Sequence, residues 1–316
     1  MQTVLALTGG IGGAKLALGL AGLADTVELH VLVNTADDFE HLGLHISPDI
    51  DTLIYTLAGK ANAAQGWGLE GETFHALEAL GELGGDTWFR LGDRDLATHL
   101  WRSQQLVAGE SLSSVTAQLA RRQGLCATVH AMSDSAVRTT VHSERGSLPF
   151  QQYFVRERCA PAVTGFSFEG IQQALPNAQV MRLLKEDYFS RIIICPSNPF
   201  VSIDPILQLP GLWQALRDTR APVSLVSPIV AGQAIKGPTA KMMAELGVPA
   251  TAGGVAEHYL RRYPGLLDHF VLDESDATLA AAISDLGVDV VTTNTVMHSL
   301  EEKRRLARWL LQLRGD

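Results

Sequence analysis

The sequence predicts an α/β protein with a Rossmann-like, three-layer architecture, a mostly parallel sheet and a helical insertion subdomain. Three observations support this class. Short apolar segments of strand type recur along the chain, and several are followed by loops of small and polar residues. A glycine-rich turn joins the first of them to a helix, and residues 53–126 carry only helical periodicity. We therefore expect an α/β core at 1–52 and 127–316 and a helical subdomain at 53–126.

Composition narrows the class of protein and its partners. With 316 residues, 46% of them hydrophobic, the chain can bury a full core. Its net charge is −9 and it has no long basic run, so nucleic acid and anionic membrane are not expected as main partners. No apolar stretch reaches the roughly 20 residues that span a bilayer. Three widely spaced cysteines indicate neither a disulfide framework nor a zinc site, and a cytoplasmic location is expected.

The first strand is predicted at Thr3–Leu7, followed by a helix that ends near Leu23. Glycines in the turn allow a close approach to a ligand, and the helix N-terminus offers N–H groups to a phosphate. The spacing is neither a Rossmann fingerprint nor a Walker sequence, and a tight turn without a ligand is the alternative. The candidate phosphate-binding residues are Gly9, Gly10, Gly12, Gly13 and Lys15.

A second strand, Leu29–Val33, leads into a loop rich in carboxylates. In open α/β sheets ligands lie beyond the carboxyl ends of the strands, so this loop could hold a cation or a reacting hydroxyl. The alternative is a solvated loop with a helix cap at Asp49 or Asp51. The polar side chains of the loop are Asn34, Asp37, Asp38, Glu40, His41, Asp49 and Asp51.

Four helices are predicted after this loop. Within them, Arg94 lies between Asp93 and Asp95, and Asp95 could cap the helix that follows. The guanidinium of Arg94 offers a rigid fork of donors for a phosphate or a ring carbonyl, and we expect the two flanking acids to hold it. The alternative is an ordinary surface ion pair. The predicted helices are Leu53–Leu57, Thr73–Leu83, Asp95–Leu106 and Leu112–Arg121.

Strand patterns return after residue 126. The first three segments suggest an antiparallel meander, and four later ones complete a main sheet of about six strands. Two of the later strands end in small polar loops that contain Ser197, Asn198 and Ser227. The meander segments are Thr128–Met132, Val137–His142 and Phe150–Val155, and the later strands are Ile192–Cys195, Val223–Val226, Phe270–Leu272 and Val288–Thr292.

These motifs, in this order, resemble the CofD family, the 2-phospho-L-lactate transferases (FbiA in actinobacteria) that build the deazaflavin coenzyme F420. The resemblance covers nearly the whole chain. Relatives that bind nucleotide sugars and regulate cell-wall metabolism share the glycine-rich loop but lack two of the motifs, Pro-Asp-x-Asp-Thr and Leu-Gly-Asp-Arg-Asp. The motifs that carry the resemblance are Gly9–Lys15, Asn34–Asp38, Pro48–Thr52, Leu91–His99, Pro196–Pro199, Ser202–Ile203 and Ser227–Ile229.

The resemblance implies a transfer reaction. The terminal hydroxyl of the deazaflavin Fo would attack the phosphorus that carries a small organic acid in a guanosine diphospho-acid donor, and GMP would leave. Phosphoryl transfer of this kind depends on positioning and charge neutralisation, so Mg²⁺ is the expected cofactor. The sequence departs from the family at Glu40, where relatives commonly have Trp near the pocket for the acid. The acid carried by the donor is therefore undecided among phospholactate, phosphoenolpyruvate and 3-phosphoglycerate. The resemblance also implies a homodimer.

Site roles follow from the residues and the resemblance together. Asp37, Asp38 and Asp51 are the candidate Mg²⁺ ligands. Asp51 is also a candidate to orient the attacking hydroxyl, and Arg94 to bind Fo. The glycine turn, Lys15, Asn34, Ser197, Asn198 and Ser227 are candidates to bind the nucleotide, and Gly12→Val should remove that binding while the fold survives. The competing function is a nucleotide-sugar-binding regulatory protein of the same fold.

Overall fold

A computed structural model describes residues 1–62, 65–234 and 237–313, and its centre is a seven-stranded sheet whose neighbouring strands are all parallel. Apolar residues dominate these strands because both faces of the sheet are covered. In spatial order, the strands are β14 (Asp289–Thr293), β13 (His269–Asp273), β10 (Val223–Val226), β9 (Arg191–Ile194), β1 (Gln2–Thr8), β2 (Val27–Val33) and β5 (Thr128–Ala131).

Helices pack on both faces, which confirms the three-layer prediction. Alternate residues of β1 enter opposite cores: Leu5 and Leu7 enter one, and Val4 and Ala6 enter the other. The helices are α1 (Gly10–Ala21), α2 (Pro48–Leu57), α3 (His75–Glu82), α4 (Asp93–Val107), α5 (Leu112–Arg122), α6 (Ala178–Lys185), α7 (Asp204–Leu207), α8 (Leu212–Asp218), α9 (Thr239–Glu245), α10 (Ala252–Arg262), α11 (Ala280–Ser284) and α12 (Leu300–Leu310). In the described parts of the chain, no helix is both long and apolar enough to cross a bilayer.

The strand order reverses between β1 and β9. The chain first builds outward from β1 through β2 to β5, and then returns to the other side of β1 with β9. In open α/β sheets the crevice at such a reversal is where ligands bind, beyond the carboxyl ends of the strands. The glycine turn after β1 and the loop after β9 meet there, and the carboxylate loop follows the neighbouring β2.

Two sequence predictions about strands are wrong. The segment at Thr128–Met132 does not join a meander: β5 pairs in parallel with β2 at the sheet edge, so the sheet has seven strands instead of about six. The segment at Phe150–Val155 is not a strand and includes a π-helical turn. Its buried Phe150 and Tyr153 and the stacked Phe154 are three and four residues apart, a helical spacing that was mistaken for alternation.

Within the described residues, three smaller sheets accompany the main one. The strand missing from the predicted meander is β8 (Val163–Glu169), which pairs antiparallel with β6 (Arg138–Ser143). On its other side β6 pairs with β7 (Gly146–Pro149). The other two are hairpins, formed by β3 (Phe39–His41) with β4 (Leu44–Ile46) and by β11 (Ile229–Val230) with β12 (Gln233–Ala234).

The helical region follows the hairpin of β3 and β4. Its first helix, α2, begins at Pro48 and therefore runs through the expected boundary between residues 52 and 53. Proline suits a first helical position because its missing N–H has no partner there in any case. Asp49 and Asp51 thus lie in the first turn of a helix, where acidic side chains are favourable. The division into a core and a helical subdomain stays a prediction.

Candidate active site

The glycine turn is locked against the loop that follows β9. Gly10 has a φ of +66°, a left-handed conformation that favours glycine. A Cβ on Gly12 would collide with the carbonyl oxygen of Pro196, and one on Gly13 would collide with the hydroxyls of Thr8 and Ser197. The Gly9 amide donates a hydrogen bond to Ser197 Oγ at 3.2 Å. The turn therefore requires glycines for its own packing, whether or not a ligand is bound.

Asp49 lies at the N-terminus of α1, where the sequence predicted a phosphate. Its carboxylate accepts a hydrogen bond from the Gly10 amide, and its Oδ2 accepts one from Asn34 Nδ2 at 2.9 Å. The same Asn34 nitrogen also donates to the carbonyl of Val201 at 3.2 Å. Asn34 thus connects the carboxylate loop to the segment after β9, and a phosphate near the glycine turn would lie beside a carboxylate.

Asp37 and Asp38 are buried with incomplete hydrogen bonding. Asp38 Oδ2 accepts hydrogen bonds from Ser47 Oγ at 2.8 Å and from His45 Nε2 at 3.0 Å. Asp38 Oδ1 and Asp37 Oδ1 are buried and have no hydrogen-bond partner. Buried carboxylate oxygens without partners are costly, so a cation or a ligand donor is expected to satisfy them.

The electrostatics of these acids also favour a cation. Burial, with the nearby Asp49 as the second cause, raises the pKa of Asp37 well above its usual range. Burial raises the pKa of Asp49 to about 6, and the charge of Asp38 adds to this effect. Across the described residues, no group of three or more His, Cys, Asp or Glu side chains is arranged to hold a metal ion. Mg²⁺ needs only one or two carboxylates when substrate phosphates complete its shell, so the pair of acids fits that ion.

Asp51 is held by an arginine that the sequence analysis missed. Arg102 Nη1 donates to Asp51 Oδ2 at 3.1 Å, and Nη2 forms an ion pair with Oδ1. Arg102 is fully buried, and its pKa is raised by Asp51 against the opposing effect of burial. His99 Nδ1 lies 3.7 Å from Asp51 Oδ2, and Tyr55 donates to Asp95 Oδ1 at 2.7 Å. The spacing of residues 95, 99 and 102 on one face of α4 was the available signal.

The environment of Arg94 differs from the prediction. Its side chain is exposed, and Nη1 donates to the carbonyl of Glu70 at 2.7 Å. Asp93 accepts instead from the amides at the start of α3, and Asp95 turns inward to Tyr55. The expected cap is also wrong: the carboxylate of Glu72 accepts from the amides of Arg94 and Asp95. The two flanking acids therefore do not hold Arg94, and its role toward a ligand stays a prediction.

The remaining predicted nucleotide residues serve partly to hold their own loops. Asn198 Oδ1 accepts from the Phe200 amide at 2.9 Å and caps the π-helical turn that begins at Pro199. Ser227 Oγ donates to the carbonyl of Ile229 at 2.9 Å. Lys15 is half-buried in α1. These loops lie at the carboxyl ends of β9 and β10, the edge of the sheet where the acids also lie.

An aromatic group beside the acids was not predicted from sequence. Phe39 contacts Phe89 edge to face, with ring centroids 4.8 Å apart, and His41 contacts Trp88 at 5.3 Å. Glu40, the departure from the usual Trp, lies between them in β3 and is exposed. Alternation along β3 places Glu40 on the face opposite Phe39 and His41. The rings are inclined to one another, and this partly exposed group offers apolar ring surface close to Asp38 in the chain.

Comparisons with known proteins agree with the fold and the motifs. The family described as 2-phospho-L-lactate transferase CofD matches residues 4–305. A phosphoenolpyruvate transferase of Streptomyces coelicolor is 39% identical over 315 residues, which cover 98% of this chain and 97% of the relative. A 2-phospho-L-lactate transferase of Methanococcoides burtonii is 37% identical over 310 residues, covering 98% and 99%.

A solved structure shows the same fold at much lower identity. The crystal structure of a UPF0052 family member from Bacillus halodurans matches with a TM-score of 0.65 and 13% identity, over 98% of this chain and 99% of that one. At this identity the likeness extends to the fold alone. The family match and the two transferases, by contrast, span almost the full length of both partners. The chain therefore belongs to the CofD family of transferases.

Proposed function

We propose that the protein transfers a phospho-organic-acid group from a guanosine diphospho-acid to the terminal hydroxyl of the deazaflavin Fo, with release of GMP, in coenzyme F420 biosynthesis. The hydroxyl oxygen forms a bond to the phosphorus that carries the acid, and the bond from that phosphorus to the GMP oxygen breaks. The product is a phosphodiester. Family membership supports the reaction type, and the printed names of the relatives support the acids phospholactate and phosphoenolpyruvate.

The observation that carries the proposal is the pair of unpartnered, buried carboxylate oxygens of Asp37 and Asp38 beside the glycine turn. In our proposal these two acids would hold Mg²⁺, which would neutralise charge on the diphosphate. The amides of α1 that follow Gly10 and the loops with Ser197, Asn198 and Ser227 bind the nucleotide part. Charge neutralisation and positioning supply most of the rate in phosphoryl transfer.

We assign Asp51 to the acceptor hydroxyl in preference to the metal. Both of its carboxylate oxygens face the guanidinium of Arg102, which occupies much of its capacity to coordinate an ion. An ionised carboxylate can still accept further hydrogen bonds, because each oxygen has two lone-pair sites. Asp51 would thus accept a hydrogen bond from the attacking hydroxyl and orient it. Arg94 and the aromatic side chains of Phe39, Trp88 and Phe89 would bind the Fo ring.

Turnover with defined substrates tests the proposal. Purified protein is mixed with Fo, Mg²⁺ and a panel of guanosine diphospho-acids carrying lactate, enolpyruvate or glycerate, and GMP release is measured by chromatography. We expect GMP and an Fo phosphodiester in equal amounts with at least one donor. The Asp37→Asn protein is the matched control and should release little GMP. GMP release that does not depend on Fo would contradict the proposed acceptor.

A nucleotide-sugar-binding regulatory protein of the same fold is the second candidate. It would bind a nucleotide sugar tightly and release no GMP from any donor in the panel. The relatives named as transferases at 37–39% identity favour the enzyme. We also propose, from family resemblance, that the protein is a cytoplasmic homodimer acting on small molecules, and sedimentation of the purified protein would test the dimer.

A further inference from the structure

A polar cavity lies at the edge of the sheet opposite the proposed active site. Its volume is about 390 Å³, and its walls include the first residues of β9, β13 and β14, namely Arg191, His269 and Asp289. These positions are the amino ends of parallel strands, whereas the glycine turn and the carboxylates follow the carboxyl ends. The cavity therefore shares no residue with the site described above, and we call it the amino-edge pocket.

Arg191 carries the strongest signal in the amino-edge pocket. Its Nε and Nη1 atoms are buried and have no hydrogen-bond partner. Burial also lowers the pKa of Arg191, an effect that no neighbouring carboxylate offsets. Arg191 as a whole is half-buried, but two unpaired donors that are shielded from water are costly and require an explanation such as a bound ion. The fork of donors on arginine matches the oxygens of phosphate and carboxylate groups.

Two further arginines line the same cavity. Arg217 and Arg220 are exposed, and each is paired with an acid outside the lining, Asp218 at 2.7 Å and Asp187 at 3.5 Å. Exposed ion pairs contribute little free energy, so both side chains can turn toward a ligand at small cost. The cavity thus places three guanidinium groups near one another, which supply donors that an anion can accept from.

The two acids in the lining of the amino-edge pocket already interact with other groups of the protein. Asp268 Oδ2 accepts a hydrogen bond from the Val223 amide at 2.7 Å, so this carboxylate is used to hold the start of β10. Asp289 is largely exposed, and its Oδ2 lies 3.8 Å from His269 Nε2. Asp218 and Asp187 already offset Arg217 and Arg220, so Arg191 is the guanidinium of the lining that is left for an anion.

We propose that the amino-edge pocket binds a small phosphate monoester through the guanidinium of Arg191. A phosphate group can accept from Arg191 and from a second arginine at once, because its oxygens point in several directions. A volume of about 390 Å³ exceeds the need of an inorganic ion and lies within the usual range for small-molecule sites. The ligand would lie across the sheet from the proposed active site, in a pocket that shares no residue with it.

Calorimetric titration with inorganic phosphate tests the assignment. Arg191→Gln should weaken the affinity for phosphate at least tenfold, equivalent to about 1.4 kcal/mol. Arg182→Gln is the matched control, because Arg182 is an exposed arginine outside the pocket and should leave the affinity unchanged. Acetate should bind at least tenfold more weakly than phosphate. Equal phosphate affinity in the two variants, or equal affinity for acetate and phosphate, would overturn the proposal.

A second measurement leaves Arg191 intact, in case its substitution impairs folding. Arg217 lies over the ring of Trp213, with its guanidinium carbon 5.2 Å from the centroid, so a change at Arg217 should alter the fluorescence of Trp213. Phosphate should produce a saturable fluorescence change that is lost in Trp213→Phe, while the calorimetric affinity persists in that variant. The absence of a saturable signal in the unsubstituted protein would also overturn the proposal.

Discussion

Arg102 binds both carboxylate oxygens of Asp51 in the interior of the protein. The pair joins α4 to the first turn of α2, two helices that lie far apart in the sequence. A buried ion pair of this kind is weak support for overall stability, because removing two charges from water is costly. Its better-supported effect is to fix one geometry for Asp51 next to the proposed metal site.

We expect Arg102→Met to lower the free energy of unfolding by about 3–5 kcal/mol, because it leaves a buried carboxylate without its partner. Arg182→Met removes an exposed arginine that is paired with Glu186 and should cost less than about 1 kcal/mol. Urea denaturation of the two proteins provides the comparison. Equal losses in both variants would mean that the buried pair has no special role in the fold.

The substitution Asp49→Asn should stabilise the protein in a pH-dependent way. The pKa of Asp49 is raised to about 6, so the folded state holds a proton between about pH 4 and pH 6 that the unfolded chain has lost. Stability from this proton is therefore present below about pH 4 and is lost as the pH rises through 6. The Asp49→Asn protein does not undergo this loss of stability, and its advantage at pH 7.5 should be on the order of 3 kcal/mol.

Thermal or urea denaturation at pH 4, 5, 6 and 7.5 measures this difference between Asp49→Asn and the unsubstituted protein. The difference should be small at pH 4 and should level off above pH 6. Saturating Mg²⁺ at pH 7.5 should reduce it, because a cation also relieves the repulsion among these acids. A difference that does not vary with pH would contradict the burial of an ionisable Asp49.

Neutralising the proposed metal ligands should alter the response to Mg²⁺. Asp37→Asn and Asp38→Asn each remove a carboxylate charge, and we expect the Mg²⁺ concentration for half-maximal GMP release to rise at least tenfold in each. Asp276→Asn is a control away from this loop, since Asp276 Oδ2 accepts a hydrogen bond from the Ala231 amide. An unchanged Mg²⁺ dependence in both variants would remove these acids from the metal site.

Arg94 provides a test of Fo binding. The Arg94→Lys protein keeps the charge but loses the fork of donors, and we expect its dissociation constant for Fo to rise at least tenfold, about 1.4 kcal/mol. Fluorescence titration with Fo measures the effect, and GMP binding should be unchanged. Since Arg94 is exposed and donates to the Glu70 carbonyl, matching Fo affinities in the two proteins would limit it to holding that loop.

The glycine turn is a less clean test than the sequence suggested. Gly12→Val was expected to remove nucleotide binding while the fold survives. A Cβ at this position would meet the carbonyl oxygen of Pro196, which belongs to the backbone and cannot move aside alone. The substitution would displace the loop after β9, so a loss of nucleotide binding in that variant would report a local change of structure as well as a lost contact.

Most of the main sheet could be predicted from sequence because its strands are short, apolar and followed by polar loops. The errors arose where tertiary contacts determine which segments form strands and how those strands pair. Residues 128–131 have an ordinary strand pattern, and only their parallel pairing with β2 identifies them as an edge of the main sheet. Residues 163–169 were missed as a strand, although β8 pairs with β6 over most of its length. Their burial is mostly intermediate, so the apolar pattern is weak.

The candidate site divides in a similar way. Clusters of like residues, such as the acids from Asp37 to Asp51, were visible because their density is unusual for one loop. Arg102 could not be recognised from sequence, because a single arginine on a helix is normally solvated and its partner Asp51 is distant in sequence. The aromatic group of Phe39, Trp88 and Phe89 was missed for the same reason: its members come together only in the fold.

The connection from β2 to β5 has an evolutionary consequence. Both of its ends are fixed on adjacent parallel strands. The residues that we propose to bind the metal and the acceptor lie between them, and so does Arg102. The glycine turn and the loops after β9 and β10 belong to other connections. The proposed metal ligands, the proposed acceptor residues and Glu40 are therefore inherited together, and residues 34–127 form a natural unit for chimaeras between relatives that use different phospho-acids. Glu40 would be exchanged together with this segment in such a chimaera.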